Sequence, residues 1–120
     1  MYTRVVSEKP LCWLSSSLED LRAFPPEARR EAGYQLLRVQ RGLMPTDWKP
    51  MTAVGVGVQE VRIHAGGAFR VFYIARFRDA VYVLHAFEKR SQRTPRSAID
   101  LARKRLAALR ADSPDRKDVL

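Results

Sequence analysis

The chain has 120 residues, 46% of them hydrophobic, 29% charged and 9% aromatic. That suits one domain with its own core and excludes collagen-like and wholly disordered classes. Twenty-two Lys and Arg stand against 13 Asp and Glu, a formal net charge of +9, so polyanions are the favoured partners. No apolar run approaches the ~18–20 residues that span a bilayer, and the N-terminal stretch carries no export pattern, so the expectation is a soluble, cytoplasmic protein with no membrane partner.

Residues 9–14, Lys-Pro-Leu-Cys-Trp-Leu, are short and apolar and follow a proline, which predicts a strand entering a sheet at its edge. Cys12 has no second cysteine to pair with, which agrees with a reducing compartment and leaves no cysteine metal cage. Ser17 followed by Glu19 and Asp20 opens a short helix that stops before Pro25 and Pro26. Pro26 then sits at the first position of a second helix, where Ala28, Ala32, Leu36 and Val39 recur at helical spacing and Gly42 is the stop. Residues 43–57 hold two prolines and two glycines with no sustained period, and read as a long loop.

Residues 58–64 alternate Glu60, Arg62 and His64 against Val61 and Ile63, the period of a strand with one dry face. Gly66-Gly67 turns the chain into a second strand over 69–77, and Arg78-Asp79 into a third over 81–87. The last is the most apolar of the three and is expected to be the central strand. From Pro95 a final helix carries Ile99, Ala102, Leu106 and Leu109 along one stripe, and residues 111–120 read as a polar tail. The order β-α-α-β-β-β-α, with three successive strands in an antiparallel meander, predicts an α+β fold in one domain over residues 1–110.

Charge is unevenly spread. Residues 85–110 hold eight cations and two anions, two-thirds of the excess, and most of the chain's cations are Arg, whose planar fork grips phosphate. There is no Gly-rich phosphate loop before a helix, no His-Glu-x-x-His, no Gly-x-Ser-x-Gly and only two histidines, so neither a metal site nor a nucleophile triad is expected. The remaining candidates are strand residues that combine acid–base groups with guanidinium donors: Glu60, Arg62, His64, Arg70, Tyr73, Arg76 and His85. Lys89, Arg90, Gln92 and Arg93 follow just past the last strand. Glu60 and Arg62 also fit a surface ion pair, Tyr73 fits core packing, and His85 fits a hydrogen-bonded structural histidine.

Val-Gln-Glu-Val-Arg-Ile at 58–63, Phe-Arg-Val-Phe-Tyr at 69–73 and Val-Leu-His-Ala-Phe-Glu-Lys-Arg-Ser-Gln-Arg-Thr-Pro at 83–95, followed by an Ala- and Arg-rich helix, resemble the phage-derived Gp49-like/HigB-like branch of the RelE toxin superfamily. The resemblance runs from about Lys9 to Arg110. It implies a toxin of a type II toxin–antitoxin pair, an endoribonuclease that cuts translated mRNA at the ribosome and needs no metal or other cofactor. Its partners would be mRNA, the ribosome and a cognate antitoxin, commonly a helix-turn-helix protein. On that kinship Glu60, Arg62, Arg70, His85, Lys89 and Arg90 are the catalytic candidates, and Lys49, Tyr73, Arg76, Arg93 and Arg96 the RNA-binding ones. Arg70 would bind the scissile phosphate, Lys89 and Arg90 would add charge stabilisation, and Glu60 or His85 would take the 2′-OH proton. Tyr73 would stack on a base or hold the phosphate. Trp48, beside Lys49, is a further candidate for RNA contact. Relatives that place a Tyr or His near the start of the last helix differ from this chain, which reads Thr94-Pro95-Arg96-Ser97 there; no general acid is assigned.

Overall fold

Residues 8–112 are described by a computed structural model. The elements are β1 (Leu11–Trp13), α1 (Ser17–Arg22), α2 (Pro26–Gln40), β2 (Trp48–Pro50), β3 (Val58–His64), β4 (Ala68–Ile74), β5 (Val81–Glu88) and α3 (Arg96–Asp112). They form an α+β unit around one five-stranded sheet of order β1-β5-β4-β3-β2. β1 runs parallel to β5, while β2, β3, β4 and β5 pair antiparallel in succession.

Local chemistry accounts for the boundaries. α2 starts with Pro26 at a position that needs no N–H donor, and it ends in a Schellman arrangement. Leu43 N–H donates to Arg38 O at 2.9 Å and Gly42 N–H to Val39 O at 3.0 Å, with Gly42 at φ +81°. α3 follows Pro95 and buries Ala98, Ala102, Leu106 and Leu109, a spacing of four, four and three that keeps one face on the sheet; Ile99 is only partly buried.

The sheet has a helix layer on each face. On one side Leu21, Phe24, Ala28 and Leu36 of α1, α2 and their junction pack on Val61, Ile63, Phe69, Val71 and Val83. On the other Ala102, Leu106 and Leu109 pack on Phe72, Ile74, Tyr82 and Leu84. α3 lies chiefly on β5, so the same face of β3 and β4 toward Arg62 and Arg70 carries charged residues instead.

Four sequence expectations are corrected. The stretch 43–57 is not all loop: residues 48–50 form the edge strand β2, hidden in the sequence by Pro50, which an edge accommodates because no N–H is required there. The central strand is β4, not β5. β5 is so apolar because α1 covers one of its faces and α3 the other, as well as having strands on both sides. β4 ends at Ile74 rather than 77, and α3 continues to Asp112, so what remains of the expected tail, 113–120, lies outside the described residues.

One irregularity decides which side chains meet. Between Phe72 and Tyr73 the register with β5 shifts: Tyr73 is opposite Val83, but Phe72 is opposite His85, leaving Leu84 as an extra residue. Strict alternation would put Val81, Val83, His85 and Phe87 on one face. The bulge reverses the phase after Val83 and delivers His85 and Phe87 to the face of Phe72 and Arg70.

Candidate functional site

Cross-strand register builds the site in rows. Lys49 of β2 is opposite Glu60 of β3, which is opposite Phe72 of β4, which is opposite His85 of β5. In the next row Arg62, Arg70 and Phe87 stand side by side, and beyond it Lys89 N–H donates to Ala68 O at 2.7 Å.

At the centre is a carboxylate that is almost fully removed from solvent. The Glu60 side chain is 1% exposed, and its Oε1 lies 3.2 Å from Arg62 Nε, 3.7 Å from Arg70 Nε and 3.9 Å from Lys49 Nζ. Arg70 is nearly as buried, and its Nη1 donates to Phe69 O at 3.0 Å. Two buried atoms here, Glu60 Oε2 and Arg70 Nε, have no hydrogen-bond partner. Burying a polar group without a partner is costly, so these two atoms hold unspent hydrogen-bonding capacity at the centre of the cluster.

The electrostatics are lopsided. Buried Glu60, with half-exposed Asp47 also acting on Arg70, faces Lys49, Arg62, Arg70 and Lys89, and Lys89 is within electrostatic reach of the other three cations. Partial desolvation, then the Arg70 guanidinium, push the Lys89 amine below the ordinary lysine value, with Glu60 opposing. Burial likewise lowers Arg70, against the pull of Glu60, though a guanidinium stays charged at any working pH. A group with several negative oxygens, such as a phosphodiester, satisfies this surplus and the unspent donors together.

His85 stands on the same face but turns toward α1 and α3. Burial and the Arg105 charge hold its pKa below the usual histidine value, opposed by Asp20, whose Oδ2 is 3.9 Å from Nδ1. Nδ1 is buried without a hydrogen-bond partner, and the ring stacks on Phe87 at 5.0 Å and 22°. Arg105 ties the three elements here, donating to Leu84 O at 2.8 Å and to Ser16 Oγ at 2.9 Å.

The candidates separate accordingly. Glu60, Arg62, Arg70, Lys49 and Lys89 come together, with His85 one row end away. Arg90 is exposed and paired with Glu88 at 2.9 Å, Arg96 is paired with Asp100 at 3.3 Å, and Arg93 is exposed on the connection to α3. Tyr73 is on the opposite face, 1% exposed, donating to Gln59 Oε1 at 2.6 Å, and burial raises its hydroxyl pKa. Arg76 lies beyond β4, over Gly57, whose φ of +87° and lack of Cβ leave room for the arginine chain. Phe87 was not among the site residues expected, although its place two residues before Lys89 was the available signal.

A small basic α+β protein with a cationic cluster set in its sheet is thus what fold and site define. The chain belongs to the family described as Phage derived protein Gp49-like (DUF891), whose model matches residues 19–107 and so spans the cluster, all of α2 and most of α1 and α3. No curated protein matches it. Among the described residues no helix is long and apolar enough to cross a membrane, and no group of three or more His, Cys, Asp or Glu is placed to hold a metal ion.

Proposed function

We propose that the protein is the toxin of a type II toxin–antitoxin pair, an endoribonuclease that cuts translated mRNA at the ribosome and is neutralised by a cognate antitoxin with a helix-turn-helix domain. Membership of the Gp49-like family and the resemblance to RelE- and HigB-type toxins support the class. The observation that carries the chemistry is the gathering of Arg62, Arg70, Lys49 and Lys89 around buried Glu60.

RNA cleavage of this kind proceeds by attack of a ribose 2′-OH on the adjacent phosphorus. A new O–P bond forms, the bond to the 5′ oxygen breaks, and the products are a 2′,3′-cyclic phosphate and a 5′-OH. Arg70 and Arg62 hold the non-bridging oxygens, where negative charge grows in the transition state. Lys89 adds charge, and its lowered pKa suits it to giving a proton to the leaving oxygen. Glu60 keeps the arginines in place and is the nearest acceptor for the 2′-OH proton; Phe87, beside Arg70, offers a ring to an unstacked base.

One observation favours a second reading, translation block by occupancy. Glu60 Oε1 is shared by Arg62, Arg70 and Lys49 and His85 is packed toward α1, so beside Arg70 only the buried Glu60 Oε2 is left to accept a proton. Induced expression of wild type and Arg70→Ala, with transcriptome-wide mapping of mRNA 5′ ends, separates the two. New ends inside translated frames, lost in the variant, support cleavage. Growth arrest without new ends supports occupancy, and a folded wild-type protein that neither arrests growth nor makes ends refutes both.

A further inference from the structure

The face of the sheet opposite the Glu60 cluster carries a cleft of about 800 Å³, where the C-terminal end of α2 meets the ends of β3 and β4. Its apolar lining includes Val39, Leu43 and Met44, and the last two are 50% and 40% exposed although large and hydrophobic. Lys9, Arg41, Arg76 and Arg78 also line it, with no acidic residue among the described lining residues. Lys9 is held in the wall by donating to Ala75 O and Phe77 O, both at 2.6 Å. Arg41 meets Glu8 at 2.9 Å in a half-exposed pair of the kind that contributes little and exchanges readily.

The chemistry of this lining discriminates between kinds of occupant. Single-stranded RNA is recognised by stacking on exposed rings, whereas the one aromatic side chain here, Tyr73, is 1% exposed and its hydroxyl is committed to Gln59. What the cleft does present is aliphatic and thioether surface, adaptable in the case of Met44, bordered by cations. A protein segment with apolar side chains on one face and carboxylates beside them matches both properties.

We propose that this cleft docks an acidic amphipathic segment of a protein partner, across the sheet from the Glu60 and Arg70 cluster. The proposal rests on the partner half of the reading above and adds where that partner is held. Docking on this face leaves the Arg70 face uncovered, so binding of the segment and contact with RNA are separable properties of the molecule.

The test is selection of a displayed library of short random peptides on the full-length protein, followed by binding of the best clone as a labelled synthetic peptide. Enriched sequences are expected to combine Asp or Glu with apolar residues. The peptide is expected to bind Leu43→Asp/Met44→Asp and, independently, Arg41→Glu about tenfold more weakly, and Arg70→Ala as tightly as wild type. Circular dichroism identifies any variant that fails to fold, and the exposure of all three positions makes folding the expectation. The proposal is overturned by no enrichment, by enrichment without acidic residues, by undiminished binding to both variants, or by displacement with single-stranded RNA. Peptide binding reads docking and 5′-end mapping reads cleavage, so either reading fails without the other.

Discussion

Glu60→Gln is the most informative single change in this protein, because it removes the buried carboxylate from a cationic cluster while leaving size and shape nearly constant. Removing one partner of a buried ion pair costs about 3–5 kcal/mol, since the other charge is left uncompensated. Here Lys49 and Arg62, 42% and 32% exposed, re-solvate, so the penalty falls on Arg70, which at 7% exposure cannot. Attraction across the 3.7 Å between Glu60 and Arg70 is itself about 4 kcal/mol at an effective dielectric of ~20. The glutamine oxygen still accepts a hydrogen bond, which places the expected loss at about 2–4 kcal/mol, or roughly 8–16 °C in melting temperature at about 4 °C per kcal/mol for a chain of this size. Thermal unfolding followed by circular dichroism measures it. Combining Glu60→Gln with Arg70→Met restores most of the loss, because the stranded charge is gone. Phosphate or sulfate raises the melting temperature of Glu60→Gln more than that of wild type, since the variant's cluster has one more uncompensated positive charge. A single variant melting within about 2 °C of wild type, or a double variant whose losses simply add, refutes the coupling argued for this cluster.

Three further outcomes follow from the same geometry. His85 has a pKa below that of the unfolded chain, so the unfolded state takes up its proton first on acidification. The associated stability is complete above pH ~6.5, drains as pH falls below it and levels off below the folded-state value. His85→Leu flattens that limb, seen as a smaller difference between urea midpoints at pH ~7.5 and ~5.5. Lys89 releases its proton before an ordinary lysine, so RNA affinity of wild type falls earlier on the alkaline side than that of Lys89→Arg, while fold stability rises over the same interval and does not in Lys89→Met. Filter binding and chemical denaturation across pH ~7–10 check both. Tyr73→Phe loses one hydrogen bond to Gln59 and about 1 kcal/mol of stability but leaves RNA cleavage intact; loss of cleavage in a folded Tyr73→Phe protein would contradict its placement on the opposite face.

The parts of the fold that were legible in the sequence are those governed by period and punctuation. Ala28, Ala32, Leu36 and Val39 announced α2, Gly42 its end, and the alternation of residues 58–64 the strand that carries Glu60 and Arg62. The parallel partner of β1 was not legible, because pairing with β5 is set by packing across the whole chain rather than by local pattern. Nor was the face of each candidate. Arg70 and Tyr73 are three residues apart in a strand and therefore point to opposite sides, which spacing does reveal once the strand is fixed. His85 and Phe87 could not be placed that way, since the extra residue at Leu84 breaks the parity and nothing in Val-Leu-His-Ala marks a bulge. Spacing alone sets Arg105 off the apolar stripe of Ala102, Leu106 and Leu109, and its role in tying α3 to Leu84 and Ser16 appears only in three dimensions.

The parallel pairing of β1 with β5 also governs the order in which the molecule is assembled. Ser17 Oγ donates to Val83 O, a contact 66 residues away along the chain, and among the described residues β1 has no neighbour in the sheet other than β5. A chain emerging from N- to C-terminus therefore holds its first strand and both early helices without a docking surface until the meander has been made. The cationic cluster closes later still, because it needs Lys89 from beyond the last strand. Nascent chains cut short before β5 thus lack both the partner strand of β1 and the complete cationic cluster, which is finished only near the end of synthesis.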